Sequence, residues 1–187
     1  GRPVLEDIYT FEDALLVGGL LITLLRYSNR VKIACLAQLV NVIGPIRVDN
    51  GEVWRQPTYF PFAQVANNSN GSIIDLKLNG PSYEMNNMTV PYVDGIGVIS
   101  EVGNQLSVFL LNRNPQESYD LNIEIENLDH LSVEVFTEMQ GYDLKQTNQN
   151  SESVIPVNRN KNEIKLNSKN FSVNLKPLSW NTIIFKK

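Results

Sequence analysis

The chain has 187 residues, 42% of them hydrophobic, and a formal charge of −4 at pH 7, enough to bury one good core or two modest ones without disulfides or metals. The charge is spread along the chain, which argues against a nucleic-acid footprint or a membrane-surface patch, and neither partner is expected. One cysteine and one histidine exclude an internal disulfide and cannot make a transition-metal site of the usual kind, so no metal and no cofactor is expected.

The opening GRPVLEDIY has neither an initiating methionine nor the basic-then-apolar pattern of a signal peptide, and it reads as the middle of a longer polypeptide. Thr10-Phe11-Glu12-Asp13, just ahead of ALLVGGLLITLLRYSNR, is a capping-box helix start, and Arg26 and Arg30 suit the carbonyl end. A helix is expected from about Phe11 to Tyr27. It is apolar on nearly every side, and Gly18-Gly19 would weaken it unless a neighbouring element packs closely there. Ala14 to Leu25 is about a dozen residues, short of the roughly 20 that span a bilayer.

Val31 to Pro45, VKIACLAQLVNVIGP, reads as a strand buried on both faces, the kind found in parallel sheets covered by helices. Polar Gln38 and Asn41 interrupt it. Each either satisfies neighbouring backbone groups at a strand end or faces a ligand. Cys35, inside the run, reads as a buried small hydrophobe. Asp49-Asn50-Gly51 then carries the chemistry of a tight turn, and a short or broken helix is expected from about Pro57 to Asn67, with Pro61 unsuited to its interior. The order helix, strand, helix is a piece of an α/β architecture, because a lone parallel strand has nothing to pair with.

Around Asn67 to Gly71 the composition changes, which divides the chain into residues 1–70 and 71–187. Nine short runs at strand period follow, from SIIDLKLNG to WNTIIFKK, at the spacing of an all-β sandwich. His130, in LDHLS, reads as an exposed turn residue. Nothing resembles a nucleophile elbow or a phosphate loop. The carboxylate pairs Glu6/Asp7 and Glu12/Asp13 fall at a helix start, and Glu124/Glu126 and Glu134/Glu138 alternate with apolar residues, which places them on a solvent face. No catalytic acid/base pair emerges, and the four Asn-x-Ser/Thr matches are what chance gives so Asn-rich a chain.

The segments LEDIYTFEDALLVGGLL, RVKIACLAQLVNVIGPI, WRQPTYFPF, VPYVD, LLNRN, DLKQTN and LKPLSWN, in this order, resemble the C-terminal portion of family 51 glycoside hydrolases, the α-L-arabinofuranosidases. The resemblance implies a mainly β chain, a C-terminal jelly-roll-type β-sandwich preceded by the last helix-strand-helix unit of a truncated (β/α)8 barrel. Phe11 to Tyr27 would be the seventh barrel helix, Ile33 to Val40 the eighth strand and Pro57 to Asn67 the eighth helix. Gln38 and Asn41 would lie at a strand's C-terminal end, where barrel enzymes contact ligands, and Gln38 matches the family glutamine that hydrogen-bonds arabinose next to the cleaved bond.

The chemistry implied is retaining hydrolysis with two glutamates, both upstream, so this chain holds no catalytic residue and is expected to be inactive alone. The partners implied are the missing upstream barrel of the same polypeptide, an arabinose-containing oligosaccharide and further copies in a homo-oligomer. The orphaned apolar helix is expected to fold back on the sandwich or to pair with a second copy. A reading from another class is a carbohydrate-binding or structural sandwich module, with Tyr83, Tyr92, Tyr119, Tyr142 and Trp180 as stacking candidates. Trp180 itself reads more readily as packing.

Overall fold

The computed structural model describes residues 6–125, 131–149 and 151–187. In chain order it contains α1 (Phe11–Arg26), β1 (Ile46–Asp49), β2 (Glu52–Arg55), α2 (Tyr59–Asn68), β3 (Ser72–Ile74), β4 (Ser82–Met85), β5 (Met88–Pro91), β6 (Val93–Ile99), β7 (Gln105–Asn112), β8 (Tyr119–Glu124), β9 (Ser132–Met139), β10 (Val157–Asn158), β11 (Lys165–Leu166), β12 (Asn170–Leu175) and β13 (Ser179–Lys186). A 3₁₀ turn at Lys161–Glu163 separates β10 from β11. His130 and Glu126 lie outside the described residues.

A six-stranded sheet ordered β10-β9-β13-β7-β6-β3 faces a three-stranded sheet ordered β11-β12-β8, and every ladder is antiparallel. The space between them is filled by Leu106, Val108, Leu110, Phe136, Phe171 and Phe185. The other face of the large sheet is covered as well. Ile96, Phe109, Leu111 and Trp180 meet Phe11, Leu15, Ile22, Phe60 and Val65 from the two helices in one apolar cluster. That explains the apolar runs FLL in β7 and IIF in β13: strands sandwiched between two layers need no polar face.

All nine expected strand runs contain a strand, although β3, β10 and β11 are only two or three residues long. The β4–β5 hairpin is additional. Asn86 and Asn87 turn it at φ +50° and +62°, the left-handed pair that a tight hairpin requires and that asparagine tolerates. Asn50 (φ +49°) and Gly51 (φ +85°) do the same between β1 and β2, as the sequence indicates.

The helix expected at Phe11 forms, with Asp13 Oδ2 accepting from Thr10 N at 2.8 Å and Thr10 Oγ1 accepting from Asp13 N at 3.4 Å. It folds back on the large sheet, and Gly18 is what lets it come close: a Cβ there would lie 2.5 Å from Trp180 Cε3. Pro61 does not break α2. It stands in the first turn of Tyr59–Asn68, where a missing N–H leaves no intrahelical bond unmade.

The segment Val31 to Pro45 is the main departure from expectation. Residues 31–39 form no strand, and Val40 makes only a lone parallel bridge to Ile46. Cys35 is exposed rather than buried, and Ile33 is 83% exposed. A helix satisfies its own backbone and needs only one partner face, so α1 and α2 form. A parallel strand needs neighbouring strands for its hydrogen bonds, and among the described residues, positions 31–39 are joined to none of the sheets.

Candidate functional site

Gln38 and Asn41 lie in the turn that reverses the chain into β1. Asn41 and Val42 both adopt left-handed backbone, at φ +58° and +56°, as does Gln38 at +55°. For the β-branched Val42 this is a strained conformation, of order 1–3 kcal/mol, and the surroundings hold it there. Its carbonyl accepts from Asp7 N at 2.8 Å and from Arg47 Nη1 at 3.5 Å. Gly44 must be glycine for a different reason, since a Cβ would stand 2.7 Å from the Leu39 carbonyl carbon.

The two polar residues have different fates. Asn41 Oδ1 accepts from Val48 N at 2.7 Å, and its backbone bonds Ile46 and Gly44. It therefore serves the turn, one of the two roles its place in the sequence allowed. Gln38 is exposed, and among the described residues its side chain makes no hydrogen bond within the chain. The structure does not bring the pair onto one strand end, because that strand is not formed.

What anchors the turn is a set of contacts around Gln56, Tyr9 and Arg47, which the sequence did not single out. Gln56, 1% exposed, donates from Nε2 to Gly44 O at 2.8 Å and to Asp7 O at 3.3 Å, and its Oε1 accepts from Tyr9 N at 2.8 Å. Tyr9 OH donates to Ile43 O at 3.1 Å, and burial followed by the nearby Asp7 and Asp13 pushes its phenol above the ordinary value. Arg47 pairs with Glu6 at 2.5 Å. A lone glutamine before a proline, and an arginine inside an apolar hairpin, were the available signals.

Beyond this turn the surface is apolar. Leu16 (62% exposed) and Leu20 (55%) lie on the outward side of α1, and Tyr27 (55%), Leu39 and Ile43 continue the exposed apolar surface beyond it in sequence. Two grooves flank the helix. One, of about 590 Å³, runs from Leu21 and Leu25 to Phe62 and Ile73; the other, of about 480 Å³, runs from Leu16 and Leu20 to Tyr83 and Arg113. Neither is lined by Gln38 or Asn41. Among the described residues no helix is long and apolar enough to cross a membrane.

Several acidic groups are engaged by cations. Asp94 bridges Arg26 at 2.8 Å and Arg113 at 3.2 Å, and Glu152 takes Arg55 at 2.6 Å, which holds its carboxyl below the ordinary value. Glu134 is exposed as expected, but Glu138 is 4% exposed and is paired with Arg159, so the solvent-face reading fails for it. Phe136 and Glu138 share a face of β9, and that face points between the sheets. The tyrosines do not form an open platform. Tyr83 lies 4.9 Å from Tyr92, Tyr92 stacks on Tyr119 at 6.5 Å, and Tyr142 packs edge-on to Phe11. Trp180 is buried against Phe109, as packing predicts.

Comparison with known proteins agrees with this architecture. The family model described as the alpha-L-arabinofuranosidase C-terminal domain matches residues 1–179. An intracellular exo-alpha-(1->5)-L-arabinofuranosidase from Bacillus subtilis is 40% identical over 189 residues, covering 100% of this chain and 37% of that protein. The structure of a family 51 α-L-arabinofuranosidase from Bifidobacterium longum superimposes with a TM-score of 0.87 at 31% identity, over 97% of this chain and 36% of that one. That of the Thermotoga maritima α-L-arabinofuranosidase, at 23% identity and a TM-score of 0.82, shares the fold. The chain thus spans little more than a third of the length of the relatives it matches. With the mainly β sandwich and the residues matched from 1 to 179, the chain belongs to the α-L-arabinofuranosidase C-terminal domain family.

Proposed function

We propose that this chain is the C-terminal, non-catalytic part of a retaining α-L-arabinofuranosidase that removes terminal α-L-arabinofuranosyl residues from arabinan- or arabinoxylan-type glycans. Residues 1–70 complete a (β/α)8 barrel supplied by upstream sequence, and residues 71–187 form the sandwich that braces it within a homo-oligomer. The observation that carries this reading is the exposed apolar surface of α1 and the segment around Leu39 and Ile43, beside two apolar cores that are closed. In water such a surface is unfavourable; against barrel neighbours, Val31 to Pro45 gains the parallel partners it lacks. Gln38, with no side-chain partner among the described residues, then presents its amide to the sugar. Asn41 shapes the turn with Oδ1 and keeps its amide nitrogen for the same ligand.

The small sheet fits the same reading. Among the described residues β8 pairs only with β12, and a groove of about 500 Å³ separates its open edge from residues 74–79. An open edge of this kind accepts a further strand, which the upstream polypeptide would provide. The alternative, a sugar-binding module without catalysis, is not favoured, because its candidate rings pack against one another or against Phe11 and Phe109.

Release of 4-nitrophenol from its α-L-arabinofuranoside tests the proposal on this chain and on a polypeptide extended upstream of Gly1. The expected result is activity in the extended protein alone, with Gln38→Ala costing about 1–3 kcal/mol of transition-state stabilisation, roughly a five- to 150-fold loss in kcat/KM. Activity in the short chain, or full activity in the Gln38→Ala variant, would refute the assignment.

A further inference from the structure

Where β13 begins, the sandwich carries buried polar side chains that the proposed function does not use. Asn112, Ser179 and Asn181 are fully buried, and Glu138 is 4% exposed. Their hydrogen bonds have a direction. The Lys176 carbonyl can only accept, and it takes Ser179 Oγ at 2.7 Å and Asn112 Nδ2 at 2.8 Å. The Ser179 hydroxyl is thereby committed as a donor, and its oxygen accepts from Asn181 Nδ2 at 2.9 Å. That fixes the amide of Asn181, whose Oδ1 is left buried with no donor among the described residues.

The strand register sets Asn181 of β13 directly opposite Glu138 of β9, and residues so paired place their side chains on the same face, with Cβ atoms about 4.5–5.5 Å apart. Glu138 has the matching deficit. Its Oε2 is paired with Arg159, while Oε1 is buried with no partner among the described residues. Two acceptor oxygens on opposed residues, both out of water, are one hydrogen short, and a carboxylic acid supplies it.

We infer that Glu138 is carried as a carboxylic acid whose Oε1–H donates to Asn181 Oδ1, and that this proton makes the β9–β13 end of the sandwich a pH-sensitive latch. The charged groups around it are Arg159 after β10, Glu163 in the 3₁₀ turn and Lys176 ahead of β13. Burial raises the carboxyl above its ordinary value; Arg159 and Lys176 oppose that rise without cancelling it, and Glu163 adds to it. On ionisation Glu138 gives up the bond to Asn181 and gains a full charge pair with Arg159. Arg159 also holds Glu163 and lies 5.6 Å from the centre of the Phe136 ring, so the proton sets how firmly β10 and the 3₁₀ turn are held.

The sign follows from linkage. The folded state binds this proton more tightly than the unfolded chain, so stability from Glu138 is complete below the unfolded value and is lost as pH rises through the raised folded one. Neutron diffraction from deuterated crystals at about pH 5 and about pH 8 reads the site directly. The expected map has a deuteron on Glu138 Oε1 directed at Asn181 at the lower pH and none at the higher. A water between the two oxygens, or an ionised Glu138 at the lower pH, would overturn the inference. Glu138→Gln supplies a second readout, because its amide donates to Asn181 without a proton. The melting temperature of the variant relative to the parent should rise with pH over this interval, and a pH-independent difference would count against the latch.

Discussion

Trp180→Ala is expected to lower the stability of the fold by about 3–5 kcal/mol, the range for deleting a large buried aromatic side chain, read as a shift of the denaturation midpoint. The indole is 1% exposed and lies between the large sheet and the helical layer. One face stacks on Phe109, 6.0 Å away, and Gly18 of α1 approaches the ring within the reach of a single methyl group. Its Nε1 donates to Gln64 Oε1 at 2.8 Å, an oxygen that also accepts from Thr182 Oγ1, while Gln64 Nε2 donates to Thr137. Truncation therefore opens a cavity and removes a donor from the glutamine that fastens α2 to β9 and β13. Gly18→Ala alone should destabilise by about 1–3 kcal/mol through overpacking, despite alanine's better helix propensity. In the Trp180→Ala background that penalty should vanish or reverse. Additive effects in the double-mutant cycle would mean that α1 is not seated on the indole.

How far the sequence reveals this fold depends on whether the deciding interactions are local. Thr10 and Asp13 announce α1 because a capping box is closed within four residues, and Gly18-Gly19 already implies a close neighbour, though not that the neighbour is Trp180. The nine strand runs are visible from their period, whereas the β4–β5 hairpin escapes because Asn86 and Asn87 do work usually assigned to glycine. Val31 to Pro45 has the pattern of a buried strand, but pattern states that a segment wants cover and is silent on whether cover is present. Glu138 is misread for a related reason. Alternation marks two faces of β9, and only the position of the sheets and of Arg159 reveals that the face shared with Phe136 points inward. Of the candidate site, Gln38 and Asn41 are legible as polar interruptions of an apolar run, while Gln56, which anchors their turn, makes contacts 12, 47 and 49 residues away.

Asn148→Ala should be among the most damaging polar substitutions, costing about 2–4 kcal/mol. Asn148 ends the DLKQTN segment and is 1% exposed. Its Nδ2 donates to Arg55 O at 2.9 Å and Val154 O at 3.0 Å, and its Oδ1 accepts from Ser153 N at 3.1 Å and Val154 N at 2.7 Å. Four bonds from one amide leave several backbone groups unpaired on its removal, and an unpaired buried group costs about 1–3 kcal/mol against about 1 for a bond exchanged with water. The damage should travel to the start of α1, because Phe11 N donates to Gln146 O at 2.9 Å and Glu12 N to Leu144 O at 3.0 Å from the same loop. Hydrogen exchange at Phe11 and Glu12 should accelerate in the variant more than exchange in β7, which is held from both faces. Asn148→Asp keeps the acceptor, loses both donors and sets a carboxylate against the Arg55 and Val154 carbonyls, so it should be no better tolerated than alanine. A variant that melts with its parent and leaves Phe11 protected would show that the loop is held by its backbone bonds alone.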